Sequence, residues 1–122
     1  MFTRIATSMF LLASAVSAEL QTLTQSNFDV KVRNSKAIWL IEFDGGEHCV
    51  SCKALKKELK EASTQLAGEA NFGVVDPSQS GLLQEFKISR APTLKVIVPG
   101  KGPITYNGAT TAAAIVEYVR GL

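Results

Sequence analysis

The chain has 122 residues, 46% of them hydrophobic and 20% charged, which suffices for one folded domain with a core and is too short for two. Its 13 Lys plus Arg against 11 Asp plus Glu are interspersed, so the net charge of +2 gives neither a nucleic-acid footprint nor a polybasic stripe for a membrane surface. The apolar content also excludes a disordered chain.

In chain order, residues 1–18 come first. Arg4 supplies a positive start, Ile5 to Leu12 is mostly apolar, and Val16-Ser17-Ala18 ends in the small residues that signal cleavage prefers, as does Ala13-Ser14-Ala15. This reads as a secretory signal peptide in preference to an N-terminal core helix. Cleavage after Ala18 removes Arg4 and leaves a nearly neutral domain, residues 19–122. No other apolar run approaches the length of a membrane span. There is no N-x-S/T sequon, and the closing Val119-Arg120-Gly121-Leu122 is not a K-D-E-L type signal. The expected location is the secretory pathway, either the endoplasmic reticulum lumen or outside the cell.

Ala37 to Phe43 is apolar and rich in strand formers, as suits a strand covered on both faces, with Glu42 as the one interruption. From Cys52, the residues Leu55, Leu59, Ala62 and Leu66 recur at helical spacing. The spacing predicts a helix of about four turns, with Lys53, Lys56, Lys57, Lys60 and Glu61 facing away and Gly68 at the C′ position. Phe72 to Val75 reads as a strand, Ser80 to Phe86 as a short helix, Thr93 to Val98 as a strand and Ile104 to Tyr106 as a short edge strand. Thr111 caps a closing helix whose Ile115, Val116 and Val119 face inward. The alternation predicts an α/β domain with a central mixed β-sheet flanked by helices.

Cys49-Val50-Ser51-Cys52 stands between the buried strand and the amphipathic helix. The first turn of a helix leaves N–H donors free, and its dipole favours an anion, so the first thiol of such a pair ionises more readily. Its thiolate can attack a disulfide, and the second cysteine, one turn on, can resolve the resulting mixed disulfide. The same spacing also admits a fixed structural disulfide. A metal site is a third option, but the two cysteines and adjacent His48 offer at most three ligands where closed zinc sites use four, so neither a metal nor a cofactor is expected.

Several motifs in order then carry a resemblance: Leu23-Thr24, Asn27-Phe28-Asp29, Ile41-Glu42-Phe43, Cys52-Lys53-Ala54-Leu55-Lys56, Ala91-Pro92-Thr93-Leu94-Lys95-Val96, Tyr106-Asn107-Gly108 and Ala114-Ile115-Val116. Together they resemble the thioredoxin-like domain of the protein disulfide isomerase family over essentially all of residues 19–122. The resemblance implies a thioredoxin-like fold and catalysis of disulfide formation, reduction or rearrangement in secretory proteins. It implies that Cys49 is the nucleophile, Cys52 the resolving cysteine, and the two a redox-active disulfide. Glu42 matches the family's acidic residue beneath the pair, which moves the proton of the resolving thiol; burial would raise its pKa toward neutrality. The alternative for Glu42 is a strand-edge carboxylate with its head in water. Pro92 matches the family's cis-proline opposite the cysteines, with Ala91 offering backbone to an extended substrate; the alternative is a trans proline opening a strand.

The departures are local. Where the family usually has Tyr-Ala-Pro-Trp-Cys-Gly-His-Cys, this chain has Asp44-Gly45-Gly46-Glu47-His48-Cys49-Val50-Ser51-Cys52, one residue longer before the first cysteine. Ser51 replaces the intervening histidine, so the thiolate loses a cationic partner. His48 is a substitute from the other side, a pKa-modulating residue unless it merely sits in solvent, while Asp44 and Glu47 would push the thiol pKa upward on close approach. Thr110 stands where many members carry an arginine that assists the resolving cysteine, which lowers the expected isomerase efficiency. Two function classes follow: a thiol-disulfide oxidoreductase acting on protein cysteines, or a binding or chaperone module whose pair is a sluggish structural disulfide. The expected partners are unfolded or disulfide-bonded proteins, with glutathione as a small thiol partner; no nucleic acid and no membrane span are expected, and the domain is expected to be a monomer.

Overall fold

The computed structural model describes residues 19–122; the expected signal peptide, residues 1–18, lies outside the described residues. Strand β1 (Leu20–Leu23) leads through a five-residue π-helical turn (Asp29–Arg33) to β2 (Ile38–Phe43), followed by helix α1 (Val50–Gln65), β3 (Ala70–Val75), α2 (Ser80–Glu85), β4 (Thr93–Ile97), β5 (Ile104–Thr105) and α3 (Ala112–Arg120). The strands form one mixed sheet in the order β1-β3-β2-β4-β5. β3 lies parallel to both β1 and β2, whereas β4 runs antiparallel to β2 and to β5. This is the expected α/β architecture, and it is the thioredoxin fold.

Side chains alternate across a strand, so β2 divides its residues between the two faces. Leu40 joins Phe72, Leu94 and Val96 in a core with Leu55, Leu59, Ala62 and Leu66 of the α1 segment and Ile115, Val116 and Val119 of α3. Trp39, Ile41 and Phe43 join the opposite core with Leu23, Phe28, Val32, Val75, Leu82 and Phe86. There Phe86 meets both Phe28 and Phe43, with ring centroids 5.5 and 5.4 Å apart. Glu42 shares the parity of Leu40 and therefore faces α1. It pairs in register with Val74 of β3 and Leu94 of β4, in the middle of the sheet.

Several element ends differ from the sequence expectation. α1 begins at Val50 rather than Cys52, because Cys49 acts as its N-cap and its sulfur accepts a hydrogen bond from Cys52 N–H at 3.1 Å. Its C-cap is Leu66, so Gly68 lies one residue beyond the expected C′ position, though it takes the left-handed conformation with φ +84°. β3 starts at Ala70, since Ala70 and Asn71 pair with Ile38 and Trp39. β1 and the π-helical turn are additions that apolar periodicity did not predict. Thr111 caps α3 as expected, accepting from Ala114 N–H at 3.2 Å, and Glu58 of α1 accepts from Ala112 N–H at 2.8 Å. That second bond ties the start of α3 to α1 and fixes the wall of the groove described next.

Candidate active site

The site lies where β2 ends, α1 begins and the chain turns into β4. Cys49 and Cys52 form a disulfide with an S–S distance of 2.04 Å and a Cα–Cα distance of 5.2 Å. Cys49 is half-buried at the helix cap, whereas Cys52 is fully buried at 0% exposure. The asymmetry follows from sequence spacing: Cys52, Leu55 and Leu59 lie on the inward stripe of α1, and Cys49 stands before the first turn.

The loop joining β2 to α1 is shaped around the sulfurs. Asp44 N–H donates to the Val75 carbonyl at 2.9 Å, continuing the β2–β3 pairing and pinning Asp44 at the strand end. Gly45 N–H then points to Cys52 Sγ at 3.3 Å and to Asp44 Oδ1 at 2.9 Å. A side chain at Gly45 would place its Cβ 2.9 Å from Ala91 Cβ and 3.4 Å from Cys49 Sγ, so close packing admits only glycine there. Gly46 follows with φ +97°, a turn that favours glycine.

Beneath the pair, Glu42 is fully buried, and neither carboxylate oxygen meets a hydrogen-bond donor among the described residues. Its oxygens, those of Asp44 and Cys52 Sγ approach one another within 4.8 Å. The cation in contact with both carboxylates is Lys56, whose Nζ lies 3.0 Å from Asp44 Oδ1 and 3.7 Å from Glu42 Oε1. Burial pushes the Glu42 carboxyl up from 4.5 to about 7; Lys56 opposes this rise and Asp44 adds to it. The position of Lys56 corrects the expectation that it faces away from the core. It sits four residues after Cys52 and so on the same helical face, with its side chain 28% exposed. That i,i+4 relation to a cysteine was the available signal. Gly45 was also missed, since a pair of glycines in a loop gives no hint of which one is packed.

The Ala91–Pro92 peptide is cis and opens β4 opposite the cysteines, with Thr93 Oγ1 donating to the Arg90 carbonyl at 2.6 Å across the turn. Ala91 is exposed and Pro92 half-buried. Pro92 lines an open groove of about 380 Å³ with Ser51, Ala54, Leu55, Glu58 and Thr110. The structure thus brings together Cys49, Cys52, Glu42, Ala91 and Pro92. His48 is exposed in the approach loop, outside this cluster, and Thr110 brings no charge to the groove. Cys49 Sγ has Ser51 Oγ 3.7 Å away as its polar neighbour.

A sequence model of the family described as Thioredoxin matches residues 19–121. Among curated proteins, this chain is 38% identical over 113 residues to Protein disulfide-isomerase 2-3 of Arabidopsis thaliana, covering 89% of this chain and 26% of the relative. It is 40% identical over 99 residues to the Protein disulfide-isomerase A6 homolog of Caenorhabditis elegans, covering 80% of this chain and 22% of the relative. The chain spans about a quarter of the length of these curated relatives. Among solved structures, the first thioredoxin domain of mouse Protein disulfide-isomerase A4 superposes with a TM-score of 0.73 at 28% identity, covering 87% of this chain and 78% of that one.

Proposed function

The chain belongs to the thioredoxin family, and from that membership we propose that it is a thiol-disulfide oxidoreductase acting on protein cysteines, with Cys49 attacking and Cys52 resolving. The observation that carries this reading is the asymmetry of the pair: Cys49 caps a helix beside an open groove, and Cys52 is sealed above a buried carboxyl. A purely structural disulfide needs neither the groove nor the carboxyl.

The exchange balances as follows. In the reduced protein the Cys49 thiolate, stabilised by the helix N-terminus and Cys52 N–H, attacks one sulfur of a substrate disulfide, and the other substrate sulfur leaves as thiolate. Cys52 then gives its proton to Glu42 and attacks Cys49 Sγ, forming the Cys49–Cys52 disulfide and expelling the second substrate thiolate. Two electrons pass from the pair to the substrate. Run backwards, the same steps oxidise a substrate dithiol, with Glu42 returning the proton to Cys52. Ala91 and Pro92 form the ledge on which extended substrate backbone lies beside Cys49. His48 sits at the mouth of the site, where its charge would act on the Cys49 thiolate.

Residues 1–18 read as a signal peptide, and relatives carry protein disulfide-isomerase names. On these grounds we infer a role in the secretory pathway, on unfolded or disulfide-bonded proteins, with glutathione as a small exchanging thiol. No helix among the described residues is long and apolar enough to cross a membrane.

The test is covalent trapping. Cys52→Ala should accumulate mixed disulfides between Cys49 and client proteins, because the intermediate forms and cannot be resolved. Equal recovery of clients by Cys52→Ala and by a variant lacking both cysteines would replace the enzymatic reading with that of a binding module.

A further inference from the structure

We propose that Lys56, held in place by Asp44, is a positioning residue for the second half of the exchange: its ammonium keeps the Glu42 carboxyl in the ionised form that takes the proton from Cys52. The inference rests on the assignment of Glu42 as proton acceptor made above.

The geometry carries it in three steps. First, Glu42 is fully buried without a hydrogen-bond donor on either oxygen. A carboxyl so placed stays protonated unless a positive charge stands nearby, and a protonated carboxyl cannot accept a proton. Second, the titratable or charged groups facing it are few. Asp44 lies at the end of its own strand, Cys52 and Lys56 face it from α1, and its partners Val74 of β3 and Leu94 of β4 carry no charge. Asp44 repels the ionised form, which leaves Lys56 as the opposing charge among the described residues. Third, the lysine has a fixed seat. Its Nζ is 3.0 Å from Asp44 Oδ1, Asp44 is itself pinned by its N–H to Val75, and the ammonium so anchored reaches Glu42 Oε1 at 3.7 Å. Because Lys56 follows Cys52 by one helical turn, the thiol and the ammonium approach the carboxyl from the same face of α1. The lysine side chain is 28% exposed, so its ammonium also joins the sealed carboxyl to solvent.

The experiment follows the resolution step directly. Reduced protein is mixed with one equivalent of a peptide disulfide and quenched with acid at intervals. Mass spectrometry then gives the rate at which the Cys49 mixed disulfide converts to the Cys49–Cys52 disulfide, from pH 5 to 10. An adjacent opposite charge lowers a carboxyl pKa by about one to three units. Lys56→Met should therefore move the midpoint of this profile up by about one pH unit or more, and slow resolution at pH 7 by about fivefold or more, with recovery at higher pH. Lys56→Arg keeps the charge and should restore the wild-type midpoint. In a Glu42→Gln background, Lys56→Met should add no further shift, because the group it acts through is gone.

A Lys56→Met midpoint that stays with the wild type, a Lys56→Arg variant displaced as far as Lys56→Met, or an undiminished Lys56→Met shift in the Glu42→Gln background would each overturn the proposal. Should Glu42→Gln itself leave the profile unchanged, the assignment of Glu42 falls, and this proposal with it. The trapping of clients by Cys52→Ala is independent of all these outcomes.

Discussion

Replacing Glu42 with Gln separates the cost of a buried charge from everything else in the domain. In the folded protein the carboxyl titrates at about 7 rather than 4.5, burial being the main cause. Below pH 4.5 the group is protonated in both folded and unfolded states and contributes no pH dependence. Between 4.5 and about 7 the unfolded chain loses this proton while the folded chain holds it, so folding stability falls as pH rises; above about 7 both states are ionised and the loss is complete. At about 1.36 kcal/mol per pH unit, the accumulated loss is about 3 kcal/mol at pH 8 and less than about 1 kcal/mol at pH 5. Glu42→Gln keeps the shape and removes the titration, so its stability relative to wild type should rise by about 3 kcal/mol between pH 4.5 and 8. For a domain of this size that corresponds to a relative gain of roughly 10–20 °C in Tm. Urea and thermal unfolding with the disulfide intact keep thiol titration out of the comparison, and taking the difference cancels every other group. Parallel curves, differing by less than about 0.5 kcal/mol in trend, would refute the burial argument and place the carboxylate in water.

Three further outcomes follow from the site and its frame. In the reduced protein, a limiting alkylating agent should modify Cys49 before Cys52, since Cys49 is half-buried at a helix cap and Cys52 is fully buried; peptide mapping by mass spectrometry reads the order. Gly45→Ala should destabilise the domain by about 1–3 kcal/mol, because the new Cβ falls 2.9 Å from Ala91 Cβ. The same substitution should slow reaction with protein disulfides more than with a small disulfide, since it displaces the ledge at Ala91. Thr111→Ala should cost about 1 kcal/mol in urea unfolding through loss of the α3 cap, with exchange chemistry unchanged.

The parts of this fold that could be read from sequence are those with strong apolar patterns. β2 showed as a continuous apolar run and α1 as a helical stripe, and the cap at Thr111 stood where its side chain is needed. β1 has only four residues and pairs with a single neighbour, β3, so its strand character comes from a partner fifty residues away. The π-helical turn is similarly weak in pattern, although Phe28 and Val32, four apart and both buried, mark its inner side. At the site, cysteine spacing, the carboxylate in an apolar strand and the Ala91-Pro92 pair were all visible because each is an exception to its surroundings. Lys56 was invisible for the opposite reason. It is one of four lysines within eight residues of an amphipathic helix, and the rule that sends charges to solvent describes the other three.

That concealed lysine bears on why the domain tolerates a carboxylate in the middle of its sheet. An apolar residue at Glu42 would be more stable at neutral pH and would leave Cys52 with no nearby acceptor for its proton. A carboxylate without Lys56 would stay protonated well above neutrality and serve little better. With Lys56 clasped by Asp44, burial and charge nearly offset each other, and the carboxyl titrates near 7, where it can both take and return a proton. The stability lost to burying Glu42 and its fitness as a proton acceptor thus have a single physical origin. The balance is set from the far end of one lysine, one helical turn beyond the cysteine it serves.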